Sequence, residues 1–318
     1  MAFEGMAERV VRSLLDTREV QRLRRVRQLG LASLVFPGAE HTRFAHAIGT
    51  AHVMQALQDR IDACSDELPS DQRLDEEARA DGLAAALLHD LGHGPFSHLF
   101  EEVLPHAKHH EQWTQDIVLD PATEVHPTLE SISGGMSQRV SSLLSGAYRL
   151  GYLSHSVSGT LDVDRADYLL RDSHMTGVRY GLYDLDWLLH ALTFACVEGR
   201  WVLAVQGRKG LPPVESFFLG RHFMYQQVYH HKATRAADAL VRAIFMRVSE
   251  LILEGAPPDP LLPAFRAAAL GERISVEEYL RMDDAELLTC LSAWEHGKDS
   301  TLADLSKRLR GRQLPKTV

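Results

Sequence analysis

The chain has 318 residues, of which 45% are hydrophobic and 24% are charged. These values are ordinary for a globular protein that is long enough to bury a large core. The formal net charge of −9 at pH 7 argues against a protein that coats nucleic acid, because such a coat needs a basic surface. It leaves room for a small basic pocket that binds a phosphorylated metabolite.

The cysteines and the apolar runs bear on the compartment. Cys64, Cys196 and Cys290 lie far apart in the chain, without the spacing of a disulfide framework or a cysteine metal site. The first residues lack the basic-then-apolar layout of a signal peptide. No apolar run approaches the roughly 20 residues that cross a bilayer. We therefore expect a cytoplasmic protein that does not bind membranes.

Hydrophobic periodicity predicts a mainly α protein. The predicted helices cover residues 17–28, 43–60 and 75–90, a stretch capped by Thr160 that runs to about Asp172, two stretches within 214–253, and residues 275–297 and 300–310. Two β-favouring runs at 192–197 and 201–205, separated by a Glu-Gly-Arg turn, predict one small β-hairpin. A loop rich in glycine and proline around residues 255–263 divides a core domain over 1–255 from a C-terminal helical extension over 256–318.

His89 and Asp90 stand side by side after a run of alanine and leucine, and Gly92 and Gly94 follow them. Neighbouring residues on a regular helix point about 100° apart, so the two side chains converge only if the helix ends here. The glycines permit such an end. For the dipeptide alone, a packed histidine beside a solvated aspartate is the better interpretation, but the surrounding residues reverse that preference.

Two further residues extend this pair to a set of metal ligands. His46 lies near the start of the predicted helix over 43–60, and Asp164 lies on the helix that follows Thr160. Ligands from separate helices of a bundle can project into one shared site. Nitrogen and carboxylate ligands that meet in this way suit a divalent metal such as Mn, Fe, Zn or Mg.

The motifs around these residues resemble those of the HD-domain phosphohydrolases. Within that superfamily the chain is similar to the deoxynucleoside triphosphate (dNTP) triphosphohydrolases of the SAM-and-HD-domain type, without a sterile-alpha-motif domain. The matching stretches lie in order between residues 15 and 240: 21–30, 36–39 with 43–46, 88–98, 110–112, 162–164, and Tyr229 with 231–232. The resemblance implies an HD-domain helical bundle as the catalytic core.

The resemblance also implies a ligand set and a reaction. The ligands would be His46, His89, Asp90 and Asp164, with Asp162 left as a capping or supporting residue, around Mn, Fe, Mg, Zn or Co. The reaction would be hydrolysis of a dNTP to deoxynucleoside and inorganic triphosphate. The leaving 5′ oxygen needs a proton, for which His98 is the candidate, oriented by Glu101 one helical turn away. His110 matches a further histidine near the same site.

Substrate contacts follow from the same resemblance. The corresponding positions for phosphate, sugar and base are Gln28, Leu29, Arg43, His93, Arg165, Tyr168, Asp172, Arg221 and Tyr229. A tyrosine packed against the 2′ carbon would exclude ribonucleotides. Taken singly, these arginines could equally be surface ion-pair partners and the tyrosines ordinary core residues.

A segment near the N-terminus matches one that binds a regulatory nucleotide in activated relatives, with Asp16, Gln21 and Arg24 at the corresponding positions. The alternative is that Asp16 caps the helix that carries the other two. The resemblance further implies a homo-oligomer, either dimer or tetramer. Two other functions stay open: stepwise removal of phosphates from a nucleotide or nucleotide analogue, and nucleotide binding by a non-catalytic regulator.

Overall fold

The computed structural model describes residues 5–96 and 108–316, and it confirms the mainly α fold. The helices are α1 (Gly5–Leu15), α2 (Arg18–Arg22), α3 (Arg43–Ala63), α4 (Glu76–Leu88), α5 (His110–Leu119), α6 (Val125–Ile132), α7 (Met136–Leu144), α8 (Gly151–Ser158), α9 (Val163–Thr176), α10 (Leu185–His190), α11 (Leu211–Met224), α12 (Lys232–Leu253), α13 (Pro263–Leu270), α14 (Val276–Leu280), α15 (Asp284–Trp294) and α16 (Ser300–Arg310). Among the described residues, no helix is both long and apolar enough to span a bilayer.

The predicted hairpin is present. Strand β1 (Leu192–Val197) pairs antiparallel with β2 (Arg200–Val205), and the register runs from Leu192 opposite Val205 to Val197 opposite Arg200. The two turn residues, Glu198 and Gly199, have φ angles of 51° and 77°. Two positive φ angles are what a tight turn needs to match the right-handed twist of the strands.

The prediction of a helix over residues 17–28 is wrong for the second half of this range. Helix α2 ends at Arg22, a 3₁₀ turn follows over Leu23–Arg25, and Val26 is extended. The cause is a contact with a distant segment, since Arg27 forms an isolated antiparallel bridge with Thr42. Local helix propensity is overridden by this pairing, which delivers residues 28 and 29 to the central cavity.

The helix expected to begin at Thr160 begins at Val163 instead. Asp162 is its N-cap, and its carboxylate accepts a hydrogen bond from the Arg165 amide at 2.8 Å. An aspartate accepts such a bond well at this position. The consequence is that Asp164 lies in the first turn of α9, where the helix places it against α3.

Two apolar clusters stabilise the chain. The larger one is built on buried residues of α3, α4, α7, α8 and α9. The smaller one joins α12 to α13, α15 and α16 and includes Leu31, Phe96 and Trp113 from the N-terminal half. The C-terminal helices therefore share a core with the segments that surround the candidate site.

Candidate active site

Three helices bring the four candidate metal ligands together. The Nε2 atoms of His46 on α3 and His89 after α4 lie 3.3 Å apart. Asp164 Oδ1 on α9 lies 3.0 Å from the first nitrogen and 3.5 Å from the second. The Asp90 carboxylate lies 3.5 Å from His46 Nε2 and 3.3 Å from His89 Nε2. Ligand atoms of His46, His89 and Asp90 all lie within 4.8 Å of one another, so this cluster could hold a metal ion.

The second ring nitrogen, Nδ1, of His46 and of His89 has its own hydrogen-bond partner. His46 Nδ1 lies 2.8 Å from Asp167 Oδ2, and Asp167 is paired with Arg171 at 2.7 Å. His89 Nδ1 lies 2.9 Å from the Ala86 carbonyl. Partners of this kind select the tautomer that leaves Nε2 available as a ligand. Room for Asp167 comes from Gly49, where an added Cβ would lie 1.9 Å from Asp167 Oδ1.

The electrostatics of the cluster favour a cation. Burial alone would lower the pKa of His46, but hydrogen bonds to Asp164 and Asp167 outweigh burial and raise it to about 10. Burial alone would raise the pKa of Asp90, yet the charges of Arg43 and His89 and a hydrogen bond from His93 hold it well below its usual value. The carboxylates thus stay ionised in a buried site and attract positive charge. Together with the nitrogen and oxygen donor set, this fits a divalent metal.

Arg43 and His93 flank the cluster. The Arg43 guanidinium donates a hydrogen bond to Asp90 Oδ2 and is almost fully buried. His93 Nε2 lies 3.3 Å from Asp90 Oδ1, and its ring stacks on His110 with 3.9 Å between centroids. Burial and the neighbouring charge of Arg43 hold the pKa of His93 well below its usual value, so His93 is a neutral imidazole there. His98 and Glu101 lie outside the described residues.

A cavity of about 750 Å³ opens onto the cluster. It is lined by the predicted residues Gln28, Leu29, Arg43, Asp90, His93, His110, Asp164, Arg165, Tyr168, Asp172 and Tyr229, and also by Tyr225 and Phe96. A nucleotide-sized ligand fits a volume of this order. Cationic, aromatic and carboxylate side chains thus line one cavity beside the candidate metal cluster.

Arg165 and Arg221 are placed differently from the other predicted contacts. Arg165 lines the cavity while its guanidinium donates to Asp162 and to the Gly159 carbonyl. Arg221 is not among the described residues that line the cavity; its guanidinium lies over the ring of Tyr225, 4.9 Å from the centroid. Asp162 caps α9 through the Arg165 amide, and burial and the charge of Asp164 raise its pKa to about 7.

His41 was missed by sequence reasoning. Its Nε2 lies 2.8 Å from Asp172 Oδ1, and the Tyr229 hydroxyl donates to Asp172 Oδ2 at 2.8 Å. His41 is buried, with its side chain only 2% exposed. The three side chains form a continuous hydrogen-bonded chain at the cavity wall. The only sequence signal was a histidine two residues before Arg43, and nothing local connects it to Asp172.

The proposed regulatory residues form a small group at the start of the chain. Gln21 Nε2 donates to the Leu15 carbonyl at 2.6 Å, and Arg24 Nε donates to Gln21 Oε1 at 2.8 Å. Asp16 is exposed, and the N-cap position of α2 belongs to Thr17. The capping alternative for Asp16 is therefore wrong.

Comparisons with known proteins identify the superfamily of this chain. A model of the HD domain matches residues 43–132. The uncharacterized protein YwfO of Bacillus subtilis is 37% identical over 307 residues, which cover 96% of this chain and 67% of that protein. A phosphohydrolase structure from Bacteroides thetaiotaomicron superimposes with a TM-score of 0.82 at 29% identity, covering 96% of this chain and 74% of that one. This chain belongs to the HD-domain phosphohydrolase superfamily.

Within that superfamily the chain is similar to dNTP triphosphohydrolases. The deoxynucleoside triphosphate triphosphohydrolase SAMHD1 homolog of Dictyostelium discoideum is 31% identical over 253 residues, which cover 76% of this chain. The matched region spans 47% of that relative, about half of its length. The predicted superfamily is thus confirmed, whereas the substrate is a separate question.

Proposed function

We propose that this protein is a metal-dependent hydrolase that converts dNTPs to deoxynucleoside and inorganic triphosphate. The observation that carries the proposal is the convergence of two imidazoles and two carboxylates on a nucleotide-sized cavity. His46, His89, Asp90 and Asp164 would hold the metal. A divalent cation in this site supplies Lewis acidity for attack by water on phosphorus.

The side chains around the cavity define the rest of the reaction. Water adds to the α-phosphorus, the bond to the sugar 5′ oxygen breaks, and that oxygen takes up a proton. Arg43 and Arg165 bring positive charge to the phosphates. Neutral His93 would donate its single N–H to a phosphate oxygen after turning it away from Asp90. His98, oriented by Glu101, is the proposed proton donor to the 5′ oxygen, and His110 would lie near the same site.

The sugar end of the substrate would lie against the aromatic wall. Tyr168 and Tyr229 meet edge to face with ring centroids 6.1 Å apart, and Asp172 accepts a hydrogen bond from the Tyr229 hydroxyl. A tyrosine fixed in this way would leave no space for a 2′ hydroxyl. Gln28 and Leu29 would contact the base, and Arg221 would act on the phosphates through a movement of its side chain.

Product identification tests this function. Purified protein with Mn²⁺ or Mg²⁺ is incubated with each dNTP and NTP, and the products are separated by ion exchange. The proposal expects deoxynucleoside and intact triphosphate from dNTPs, and little turnover of NTPs. Orthophosphate with nucleoside diphosphate would instead identify a stepwise phosphohydrolase, and absence of turnover in every single and mixed nucleotide sample would favour a non-catalytic regulator.

Asp167→Asn is expected to lower the affinity for Mn²⁺ roughly 10- to 100-fold, because it weakens the hydrogen bond that orients His46. Calorimetric titration of the metal-free protein measures the effect. Asp304→Asn, an exposed aspartate paired with Arg308 on α16, is the matched control and should bind Mn²⁺ like the wild type. Equal Mn²⁺ affinity in the Asp167 variant would exclude this aspartate from the orientation of His46.

His41→Gln is expected to raise the KM for dNTPs about tenfold, since a hydrogen bond to a charged group contributes about 1.5 kcal/mol or more. The substitution loosens Asp172 and, through it, Tyr229. Steady-state kinetics with dGTP and GTP should also give a lower preference for the deoxy substrate. The exposed His155 provides a control as His155→Gln; an unchanged dGTP-to-GTP ratio in the His41 variant would contradict the role assigned to this chain.

Assembly and regulation complete the proposal. We infer a cytoplasmic homo-oligomer, a dimer or tetramer, that binds a regulatory nucleotide near Asp16, Gln21 and Arg24. Exposed apolar side chains at Tyr180 and Phe223, whose rings lie 6.4 Å apart, support self-association. Light scattering with and without added nucleotide measures the assembly.

A further inference from the structure

The C-terminal segment 279–284 contacts the backbone of the turn that carries Asp90. The Tyr279 hydroxyl donates to the Gly92 carbonyl at 2.5 Å, while its ring stacks on Trp113 with 4.0 Å between centroids. Arg22 donates to the Met282 carbonyl from two nitrogens, at 2.9 and 2.5 Å, and to the Leu91 carbonyl at 3.4 Å. Of the two residues after Asp90, Gly92 is thus held directly by the C-terminal extension, and Leu91 is held by Arg22 of α2, which also bonds to that extension.

Asp284 joins two walls of the cavity. Its Oδ1 accepts the Phe96 amide at 2.9 Å, and its Oδ2 accepts the Arg27 amide at 3.0 Å. Phe96 lines the cavity directly, and Arg27 precedes Gln28, which lines it too. The two walls also touch each other, because a Cβ on Gly30 would lie 3.1 Å from the Phe96 carbonyl oxygen.

Phe96 adopts a backbone conformation that needs support. Its φ angle is +54°, in the left-handed region that a bulky residue rarely occupies because it is strained there. The side chain is buried, with 3% of its surface exposed. The hydrogen bond from the Phe96 amide to Asp284 is one interaction that holds this conformation against the cavity.

Packing alone does not explain these polar contacts. Arg22 and Asp284 are both buried, and burial of charged groups carries a large desolvation penalty. Burial raises the pKa of Asp284 to about 6 even though two backbone amides donate to it. Apolar side chains would fill the same space at lower cost. The polar groups fix the position of the backbone, because each one bonds to a particular backbone atom beside the cavity.

We propose that Asp284, Tyr279 and Arg22 are positioning residues that fix the cavity walls at residues 27–30 and 91–96 for nucleotide and metal binding. The identity of the nucleotide rests on the function proposed above. The C-terminal extension, through Tyr279 and Asp284 and through the contact of Met282 with Arg22 of α2, is then part of the active-site machinery, although none of these contacts reaches a reacting atom.

Amide hydrogen exchange in the full-length, metal-free and nucleotide-free protein tests the positioning directly. In Asp284→Ala, exchange at the Arg27 and Phe96 amides should accelerate about tenfold or more, since both lose their acceptor. In Asp284→Asn, only one of the two amides should accelerate, because asparagine offers a single oxygen. The KM for dNTPs should rise about tenfold in both variants, with a smaller change in kcat.

Two further variants separate positioning from stability. Leu302→Ala removes a side chain buried in the same apolar cluster and should lower the Tm without changing KM or local exchange at Arg27 and Phe96. Tyr279→Phe keeps the ring on Trp113 and removes only the hydroxyl; Mn²⁺ affinity measured by calorimetry should fall about tenfold.

The proposal is overturned if the Asp284 variants, at the same Tm as Leu302→Ala, show the same local exchange and the same KM as that variant. It is also overturned if Tyr279→Phe binds Mn²⁺ with unchanged affinity. Failure of the proposed function shows differently: the wild type itself would not hydrolyse dNTPs, while exchange and Mn²⁺ affinity would still report on the positioning residues.

Discussion

Asp90→Ala is expected to abolish dNTP hydrolysis, by a factor on the order of 10³ or more, and to destabilise the protein. The Asp90 carboxylate contacts His46, His89 and His93 and accepts a hydrogen bond from the buried Arg43. Its removal takes away one of the proposed metal ligands and the counter-charge of the arginine. Loss of one partner of a buried ion pair costs roughly 3–5 kcal/mol, so the Tm should fall together with the activity.

The double variant Arg43→Ala/Asp90→Ala separates the two effects. Because it removes both members of the buried pair, it should regain part of the stability lost in Asp90→Ala. It should regain no activity and no Mn²⁺ binding. Calorimetric titration and thermal unfolding measure both quantities. Wild-type Mn²⁺ affinity in Asp90→Ala would remove Asp90 from the ligand set, and equal Tm values for the single and double variants would argue against coupling.

Gly92→Ala is expected to cost roughly 3 kcal/mol or more in the free energy of unfolding. An added Cβ would lie 2.0 Å from the His110 carbonyl oxygen and 2.6 Å from the Thr114 amide nitrogen. Both are backbone atoms of α5, so neither can rotate away. Either α5 or the turn after Asp90 must move, and the Gly92 amide would lose its 2.9 Å bond to Thr114 Oγ1.

Gly151→Ala is the matched control for this substitution. A Cβ at Gly151, the first residue of α8, meets nothing within 4 Å, so this variant should be neutral or more stable by a few tenths of a kcal/mol. Urea unfolding compares the two variants. A Gly92→Ala protein as stable as Gly151→Ala would mean that the turn does not pack against α5 as closely as described.

Local signals in the sequence were sufficient for the hairpin and for part of the helices, whereas α1, α5 to α8, α10 and α13 lie where no helix was predicted. Helices α3 and α4 follow their apolar patterns, and the hairpin follows from two β-favouring runs around a tight turn. The early end of α2 could not be predicted in this way, because it results from the bridge between Arg27 and Thr42. Local propensity does not report a pairing with a segment that comes later in the chain.

The candidate site, too, could be predicted from the sequence only in part. His46 and Asp164 are 118 positions apart, and only the resemblance of the motifs connected them. Asp167 was within reach of sequence reasoning, since it lies one turn after Asp164 on the same face of α9. The bond between Tyr279 and Gly92 spans 187 positions, and no periodicity or motif indicates it. Contacts of this range depend on how whole helices pack.

Hydrolysis of dGTP in water enriched in ¹⁸O tests the central claim most directly. If water attacks the α-phosphorus, mass spectrometry will find one ¹⁸O atom in inorganic triphosphate and none in deoxyguanosine, and Asp90→Ala will release neither product. Label in orthophosphate, with deoxyguanosine diphosphate as the other product, would place the attack at the γ-phosphorus and contradict the proposed triphosphohydrolase.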